Sequence, residues 1–220
     1  MSFRLKFALY LLFKYMHRNS ILLFEKYAKD NFRPNMKVIE IGPDKFPSTY
    51  QSIIGNSGID ESKITWHTVD IYEDPSLTYT ALSEYAFPIE DNAYDMVLSA
   101  QVIEHVRKPW IWMKELSRIC KPGGMVVTIN PVSWPYHEAP IDCWRAYPEG
   151  MIALYEDALL SVVMSKWESL ESTGYQRYVS GRSREQQKGF SSIAYKLLCK
   201  AGFPFERSYD TITIGKKGIA

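Results

Sequence analysis

The segment Met36–Asp44 constrains the fold more strongly than any other part of the sequence. An apolar run, Met36 to Ile41, follows the breaker Arg33-Pro34-Asn35 and stops at Gly42-Pro43. A short apolar run between two breakers predicts a buried strand. An acid near the end of such a strand, here Glu40, with a glycine after it is typical of the place where the crevice for a nucleotide cofactor begins in a parallel α/β sheet.

Three later segments repeat this pattern of a short apolar run that ends in polar or small residues. They are Ile64–Asp70, Asp95–Ser99 and Gly124–Asn130. Helical stretches lie between them, and this β-α-β alternation predicts a mostly parallel sheet with helices packed against it.

The composition is that of an ordinary globular protein of 220 residues with 46% apolar residues. The net charge of +1 gives no electrostatic argument for a nucleic-acid partner, because such proteins carry a basic patch or stripe. Three cysteines, Cys120, Cys143 and Cys199, lack the spacing of metal ligands. Their odd number suggests reduced thiols and a cytoplasmic location.

The N-terminal part is predicted to form two short helices. Its apolar stretch, Phe7–Phe13, is interrupted by Lys14 long before the ~20 residues that span a bilayer, and no convincing signal-peptide cleavage site follows it. We expect residues 1–33 to form a helical cap on a single globular unit, residues 34–220. The alternative is a basic amphipathic surface, with Arg4 and Lys6 among its residues, that touches a membrane or a partner.

The loop after the first strand discriminates between cofactors. Gly42 and Pro43 are expected to lie against the cofactor, since a glycine allows close approach of the backbone. Asp44 stands where a second glycine is usual, and its carboxylate would repel the pyrophosphate of a dinucleotide. S-adenosylmethionine carries an ammonium and a sulfonium but no phosphate, so Glu40 and Asp44 favour it over NAD.

The ends of the next two strands supply the rest of the expected cofactor site. Asp70 is placed to accept both hydrogen bonds of a ribose diol, and Ile71 to flank the adenine. Ser83 or Glu84 is a candidate for the adenine amino group, with a solvated loop residue as the alternative. The segment Ala100-Gln101 is expected near the methionine part of the cofactor.

Glu104 and His105 begin the next element, predicted as a helix that stops at Lys121–Gly124. His105 is adjacent to the crevice and is assigned to the cofactor site. A structural bond to the backbone around the helix start and a role in catalysis are both compatible with that position.

Together these motifs resemble class I S-adenosylmethionine-dependent methyltransferases, in particular the small-molecule branch. The residues that carry the resemblance are Val38–Gly42, Asp70, Phe87–Asp95, Ser99–His105 and Lys121–Val127. The resemblance implies a Rossmann-like seven-stranded sheet with a reversed last strand and S-adenosylmethionine bound at the residues named above. The departure is Asp44 and the Lys-Phe-Pro after it, which replace the usual glycines.

The acceptor side is predicted in the segment Pro131–Gly150, which leaves the edge of the sheet where the methyl group would be presented. It is rich in aromatic and hydrogen-bonding side chains, namely Trp134, Tyr136, His137, Asp142, Trp144 and Arg145. Aromatic faces with polar groups between them suit a sugar ring or a planar polar metabolite. The alternative is that the tryptophans only anchor the loop and that an Asp142–Arg145 ion pair holds it.

Within this segment His137 is the expected catalytic base for an oxygen acceptor, because a neutral imidazole can take a hydroxyl proton near pH 7. Asp142 is expected to orient His137 or the substrate. The segment resembles one found in methyltransferases of bacterial surface-polysaccharide or secondary-metabolite pathways, which implies a sugar-like acceptor. No convincing cluster of metal-binding carboxylates accompanies it.

The sequence leaves open two functions other than methyl transfer and one variant of methyl transfer. A nicotinamide-dependent oxidoreductase or epimerase shares the first strands but should show a phosphate-binding glycine loop and a tyrosine–lysine dyad, and neither is evident. A non-catalytic binding module on a degenerate methyltransferase fold is supported only by Asp44. The third keeps the methyl-transfer chemistry but moves it to a membrane, with a lipid or quinone acceptor reached by the N-terminal helices.

Overall fold

A computed structural model describes residues 18–59, 63–134, 136, 141–171, 176–179, 183–186, 190, 193–194, 197 and 208–219. Most of the predicted N-terminal cap, residues 1–17, and the predicted base His137 lie outside the described residues.

Seven strands form one sheet. They are β1 (Lys37–Ile41), β2 (Thr65–Asp70), β3 (Tyr79–Thr80), β4 (Tyr94–Ala100), β5 (Cys120–Pro131), β6 (Leu160–Glu168) and β9 (Asp210–Lys217). Their order in the sheet is β3-β2-β1-β4-β5-β9-β6. Strands β1 to β5 pair in parallel, whereas β9 is antiparallel to both of its neighbours, β5 and β6. The predicted seven-stranded sheet with a reversed last strand is therefore confirmed. Two short strands, β7 (Gln176–Val179) and β8 (Ser183–Gln186), pair with each other as a separate hairpin.

Helices cover both faces of the sheet, as predicted. They are α1 (Arg18–Leu23), which continues as a π turn at Phe24–Ala28 and a 3-10 turn at Lys29–Asn31, then α2 (Thr49–Gly55), α3 (Pro109–Ile119) and α4 (Pro148–Asp157). One core cluster lies between the sheet and α1 and α2, with Phe24, Phe32, Tyr50 and Ile54 among its buried residues. The other lies under α3 and α4, with Trp112, Leu116 and Tyr155.

The prediction of one helix from Glu104 to a stop at Lys121–Gly124 is wrong in both boundaries. Residues Ile103–His105 form a separate 3-10 turn, and α3 begins at Pro109, whose fixed φ suits the first helical position. Lys121–Gly124 belongs to β5, which begins directly after the helix at Cys120 and pairs with Tyr94. The segment between β4 and α3 is thus free to line the edge of the sheet.

Asn19 fixes the described part of the N-terminal segment to the sheet. Its side-chain amide donates to Glu168 O at 2.9 Å and to Asp210 Oδ2 at 2.7 Å, and its Oδ1 accepts from Leu170 N at 2.7 Å. Asn19 and Asp210 are both fully buried. Helix α1 is therefore bonded to the ends of β6 and β9 as well as packed on them.

Gly215 in β9 allows the ring of Tyr155 to pack against the backbone of the sheet. A Cβ at this position would lie 2.4 Å from Tyr155 Cδ1. The ring is held in place, since its hydroxyl donates to Thr213 O at 3.1 Å and bonds Thr128 Oγ1 at 2.9 Å. The buried ring has no room to retreat from a methyl group.

We expect Gly215→Ala to lower the free energy of unfolding by about 1–3 kcal/mol, the usual effect of overpacking a filled core. Urea denaturation followed by circular dichroism measures this change. Gly218→Ala is the matched control, because its Cβ would meet no atom within 4 Å. The control should change stability by no more than about 0.5 kcal/mol. Equal denaturation midpoints for the two variants would contradict this packing.

Candidate functional site

The parallel strands bring the predicted cofactor residues to one edge of the sheet. Gly42 follows β1, Asp70 ends β2, and Ala100 ends β4 with Gln101 directly after it. Since these strands run in the same direction, their carboxyl ends lie side by side, where ligands bind in open α/β sheets.

Gly42 is required by both its conformation and its surroundings. Its φ is +69°, and a Cβ there would lie 2.6 Å from Val102 Cγ2. Its backbone N–H donates to Val69 O at 2.9 Å, which ties the turn to the end of β2. The turn after β1 therefore lies directly against the segment that follows β4.

Two side chains cap the N-terminus of α2. Asp44 accepts from Thr49 N at 2.9 Å and from Thr49 Oγ1 at 2.6 Å. Ser48 Oγ accepts from Gln51 N at 3.0 Å, as an N-cap residue does. Two of the N–H groups that could bind a phosphate at this helix end, those of Thr49 and Gln51, already donate to a carboxylate and a hydroxyl of the protein itself.

Glu40 holds this capped loop in place. Its Oε2 accepts from Ser48 Oγ and from Trp66 Nε1, the latter at 3.0 Å, and the residue is only 2% exposed. Burial raises the pKa of its carboxyl to about 7, against the opposing effect of the two hydrogen bonds. Glu40 is thus buried beneath the loop, where its bond to Ser48 fixes the residue that caps α2.

Asp70 lies at the end of β2 beside two exposed apolar side chains. Its Oδ1 accepts from Tyr72 N at 3.2 Å, and burial raises the pKa of its carboxyl. Ile71 and Tyr72 are 40% and 58% exposed, so apolar surface adjoins the carboxylate. A carboxylate next to such surface can accept hydrogen bonds from a diol while a flat ring packs beside it.

Ser83 and Glu84, the alternatives for the adenine amino group, are both engaged locally. Ser83 Oγ accepts from Tyr85 N at 3.2 Å, within a turn closed by a bridge to Ala86. Glu84 pairs with Arg107, with 2.5 Å between Oε1 and Nη1, and also accepts from Arg107 N at 3.2 Å. Glu84 therefore anchors the segment after the 3-10 turn.

Gln101 is fixed in an unusual conformation at the end of β4. Its φ is +57°, its N–H donates to Ile129 O at 2.8 Å, and its side-chain amide donates to Asp210 Oδ1 at 3.1 Å. Ala100 pairs with Ile129 in the adjacent strand. This corner is therefore bonded to both β5 and β9.

The 3-10 turn holds the acceptor-side loop against the sheet edge. His105 Nδ1 bonds Ile141 O, and Cys143 N donates to Glu104 O at 2.6 Å. Trp144 Nε1 donates to Val106 O at 2.8 Å. His105, which the sequence assigns to the cofactor site, thus bonds the segment that begins at Ile141.

The predicted acceptor residues divide into two groups. Arg145 forms a two-point ion pair with Asp142 at 2.5 and 2.6 Å and also donates to Trp134 O at 3.3 Å, so these three residues shape the loop. Trp144 packs edge-on against Trp110 of α3, with ring centroids 6.2 Å apart. Tyr136 is 69% exposed.

Sequence reasoning missed two features of this edge. Glu104 is 1% exposed, and burial raises the pKa of its carboxyl to about 8. The acid was visible beside His105, but its burial depends on the loop that returns 39 residues later at Cys143. The second feature is an aromatic group at the ends of β6 and β9, in which Trp167 lies 5.9 Å from Tyr147 and 4.7 Å from Tyr209 between ring centroids.

In the described part of the chain, no three histidine, cysteine or acidic side chains are grouped so that they could hold a metal ion. No helix among the described residues has the length and apolar character needed to cross a membrane.

Comparison with known proteins identifies what this arrangement is similar to. Residues 60–128 match the family model described as a methyltransferase domain. An uncharacterized methyltransferase of Mycobacteroides abscessus is 42% identical over 55 residues, which are 25% of this chain and 21% of that relative. The chain thus spans about a fifth of the length of that curated relative.

Solved structures share the fold over nearly the whole chain. An S-adenosylmethionine-dependent methyltransferase from Aquifex aeolicus has a TM-score of 0.52 at 14% identity, with 92% of this chain and 95% of that chain covered. A phosphoethanolamine N-methyltransferase of Haemonchus contortus, in complex with S-adenosylmethionine, has a TM-score of 0.57 at 12% identity, with 96% and 56% covered. The chain has the Rossmann-like fold of these methyltransferases, and residues 60–128 match the model of a methyltransferase domain.

Proposed function

We propose that this chain transfers a methyl group from S-adenosylmethionine to a small polar acceptor, a hydroxyl or an amine of a sugar-like metabolite. Two observations together carry the proposal. Asp70 lies at a strand end, where its described hydrogen bond is to Tyr72 N, and Asp44 caps the helix that follows the first loop. The acceptor class suggests a place in bacterial surface-polysaccharide or secondary-metabolite synthesis, with the enzyme in the cytoplasm.

The residues at the sheet edge fit a cofactor that has an adenosine but no phosphate. Asp70 would accept from the ribose hydroxyls, and Ile71 would lie against the adenine, with Ser83 or Glu84 at its amino edge. Gly42, Pro43 and the Ala100-Gln101 corner would enclose the amino-acid part, with Glu40 and His105 holding the walls. The bound cofactor would supply an electrophilic methyl group on a positively charged sulfur.

The first loop opposes a dinucleotide. In dinucleotide-binding folds the pyrophosphate lies on the free N–H groups of the helix after β1. Here the Asp44 carboxylate already accepts from Thr49 N at 2.9 Å, and a pyrophosphate would have to displace a like charge. This argues against a nicotinamide-dependent reaction.

The chain contributes to catalysis mainly by alignment. The segment that carries Trp134, Tyr136 and Trp144 would present aromatic faces, which can fix the plane of an acceptor ring. Holding the acceptor in line at near-attack distance is worth about 7–11 kcal/mol of the barrier.

For an oxygen acceptor we propose His137 as the base that takes the hydroxyl proton. Asp142 would orient it through the loop, because the Asp142–Arg145 pair, bonded on to Trp134 O, sets the path of the backbone on both sides of His137. Arg145 would then act on the acceptor site indirectly, by holding Asp142 and Trp134 O in the loop.

Asp70→Ala should weaken binding of S-adenosylhomocysteine by about tenfold to a hundredfold or more, because each charge-assisted hydrogen bond to the ribose is worth about 1.5–3 kcal/mol. Isothermal titration calorimetry of the purified protein measures the affinity. Asp74→Ala is the matched control, since Asp74 is an exposed carboxylate of the same loop that accepts from Ser76 N. Unchanged affinity in Asp70→Ala would remove Asp70 from the site.

The same titration with NAD tests the reaction class. We expect micromolar binding of S-adenosylhomocysteine and no measurable binding of NAD. Binding of NAD alone would favour the oxidoreductase, and binding of neither would favour a module without this chemistry.

His137→Ala should lower turnover of an oxygen acceptor by about a hundredfold to ten-thousandfold, the usual contribution of a general base. Transfer of labelled methyl groups to a panel of sugar acceptors measures turnover. The affinity for S-adenosylhomocysteine should stay unchanged, which separates loss of the base from loss of the fold. Equal turnover in the variant would exclude His137 as the base.

A further inference from the structure

Three buried amide or carboxyl oxygens near the ends of β4 and β5 have no hydrogen-bond donor in the described part of the chain. They are Gln101 Oε1, Glu104 Oε2 and Asn130 Oδ1. Glu104 and Asn130 are each 1% exposed. A buried acceptor without a donor costs about 1–3 kcal/mol, so three of them in one region indicate a place where a donor-bearing group binds.

The orientation of the two amides is determined by their other bonds. Gln101 Nε2 donates to Asp210 Oδ1 at 3.1 Å, and Asn130 Nδ2 donates to Ala146 O at 2.8 Å. A carbonyl oxygen can only accept a hydrogen bond, and the same is true of an ionised carboxylate. Each amide must therefore turn its nitrogen, not its oxygen, toward Asp210 Oδ1 or Ala146 O. The atoms left over are therefore oxygens, and only a hydrogen-bond donor can satisfy them.

Backbone bonds bring the three side chains to the same corner. Gln101 N donates to Ile129 O at 2.8 Å, which holds Gln101 beside the end of β5. Glu104 O accepts from Cys143 N at 2.6 Å, three residues before the carbonyl that holds the asparagine amide. Glu104 and Asn130 are therefore bonded to the segment 143–146, and Gln101 is bonded to the end of β5 beside Asn130.

The charges around Glu104 favour a cation. Burial raises the pKa of its carboxyl to about 8, and the charges of Asp210 and Asp142 raise it further while Arg145 lowers it. Arg145 is itself paired with Asp142 at 2.5 Å. The imidazole of His105 is near, with 3.8 Å between its Nε2 and Glu104 Oε1. Two neighbouring carboxylates and one paired guanidinium leave this corner short of positive charge.

We propose that Gln101, Glu104 and Asn130 form a receptor for the ammonium group of the methyl acceptor, so that the acceptor is an amine. This inference rests on the proposed methyl transfer and narrows its acceptor class. A primary ammonium has three N–H donors, one for each unsatisfied oxygen, and a hydroxyl has only one. An alcohol would leave two of the oxygens without a donor.

Glu104 can also accept a proton from the ammonium group. An alkylammonium has no lone pair and cannot accept a methyl group until it loses one proton. When that proton moves from nitrogen to Glu104 Oε2, the ammonium becomes a neutral amine and the carboxylate becomes a carboxylic acid. A carboxyl with a raised pKa is a stronger base than an ordinary one, which suits this transfer.

The test uses a pair of probes that differ only in the group of interest, ethylamine and ethanol, added to the complex with S-adenosylhomocysteine. Saturation-transfer NMR should detect millimolar binding of ethylamine and at least tenfold weaker binding of ethanol. Glu104→Gln should abolish this preference. Glu90→Gln, a change at an exposed carboxylate of another loop, should keep it.

The pH dependence separates a proton acceptor from a merely structural carboxyl. In the unaltered protein, ethylamine binding should strengthen from about pH 6.5 to about pH 8.5 as Glu104 ionises, and it should be flat in Glu104→Gln. If Glu104→Gln does not fold, Glu104→Asp keeps a carboxylate and should retain the pH dependence with severalfold weaker binding.

Three results would overturn the inference. Equal binding of ethanol and ethylamine would show that the corner does not select a cation. Ethylamine binding that is unaltered in Glu104→Gln would place the amine elsewhere. Weaker binding of S-adenosylhomocysteine in Glu104→Gln, with 5′-methylthioadenosine unaffected and ethylamine unbound, would assign the corner to the amino group of the cofactor. In each case S-adenosylhomocysteine still binds the unaltered protein, so the methyl-transfer proposal survives. Failure of S-adenosylhomocysteine to bind the unaltered protein is the separate result that removes it.

Discussion

The parallel alignment of β1, β2, β4 and β5 is the constraint on which the rest of this structure depends. Parallel strands must return through a crossover connection each time, so every carboxyl end arrives at the same edge and every crossover leaves from it. That edge collects Gly42, Asp70, Gln101 and Asn130 from positions far apart in the chain. The reversed strand β9 then closes the edge from the opposite direction, since it begins there with Asp210.

Asp210 shows how much of the edge depends on one buried carboxylate. Its Oδ1 accepts from Gln101 after β4, and its Oδ2 accepts from Asn19 of α1. A fully buried carboxylate is tolerated only when hydrogen bonds replace its hydration. The acid therefore fixes the conformation of the β4 corner and the position of the N-terminal helix together, although its own face of the sheet is remote from solvent.

Much of the fold was predictable because strands and their ends leave a pattern in the sequence. The apolar runs before Gly42 and Asp70 placed both residues at strand ends, and the alternation of strands and helices placed them at a common edge. The boundary at Lys121–Gly124 was not predictable in this way, because a Pro-Gly pair usually ends a helix in a loop. Here the chain passes straight into β5, and only pairing with Tyr94 shows it.

The chemistry of the site was predictable to a lesser degree. Residue type and position indicated Asp70 and the unusual Asp44, but the bond from Asp44 to Thr49 N depends on the path of the loop. The burial of Glu104 and the hydrogen bond between Gln101 and Asp210 depend on segments 39 and 109 residues away, and no local pattern records such contacts. Distant partners of this kind decide which polar atoms remain unsatisfied.

The five residues from Val102 to Val106 contact two different parts of the structure, the turn after β1 and the segment 141–144. On one side Val102 lies where a side chain on Gly42 would be, and on the other Glu104, His105 and Val106 bind the backbone or indole of the acceptor loop. Because both sets of contacts involve the same five residues, the turn after β1 and residues 141–144 cannot be repositioned independently of each other.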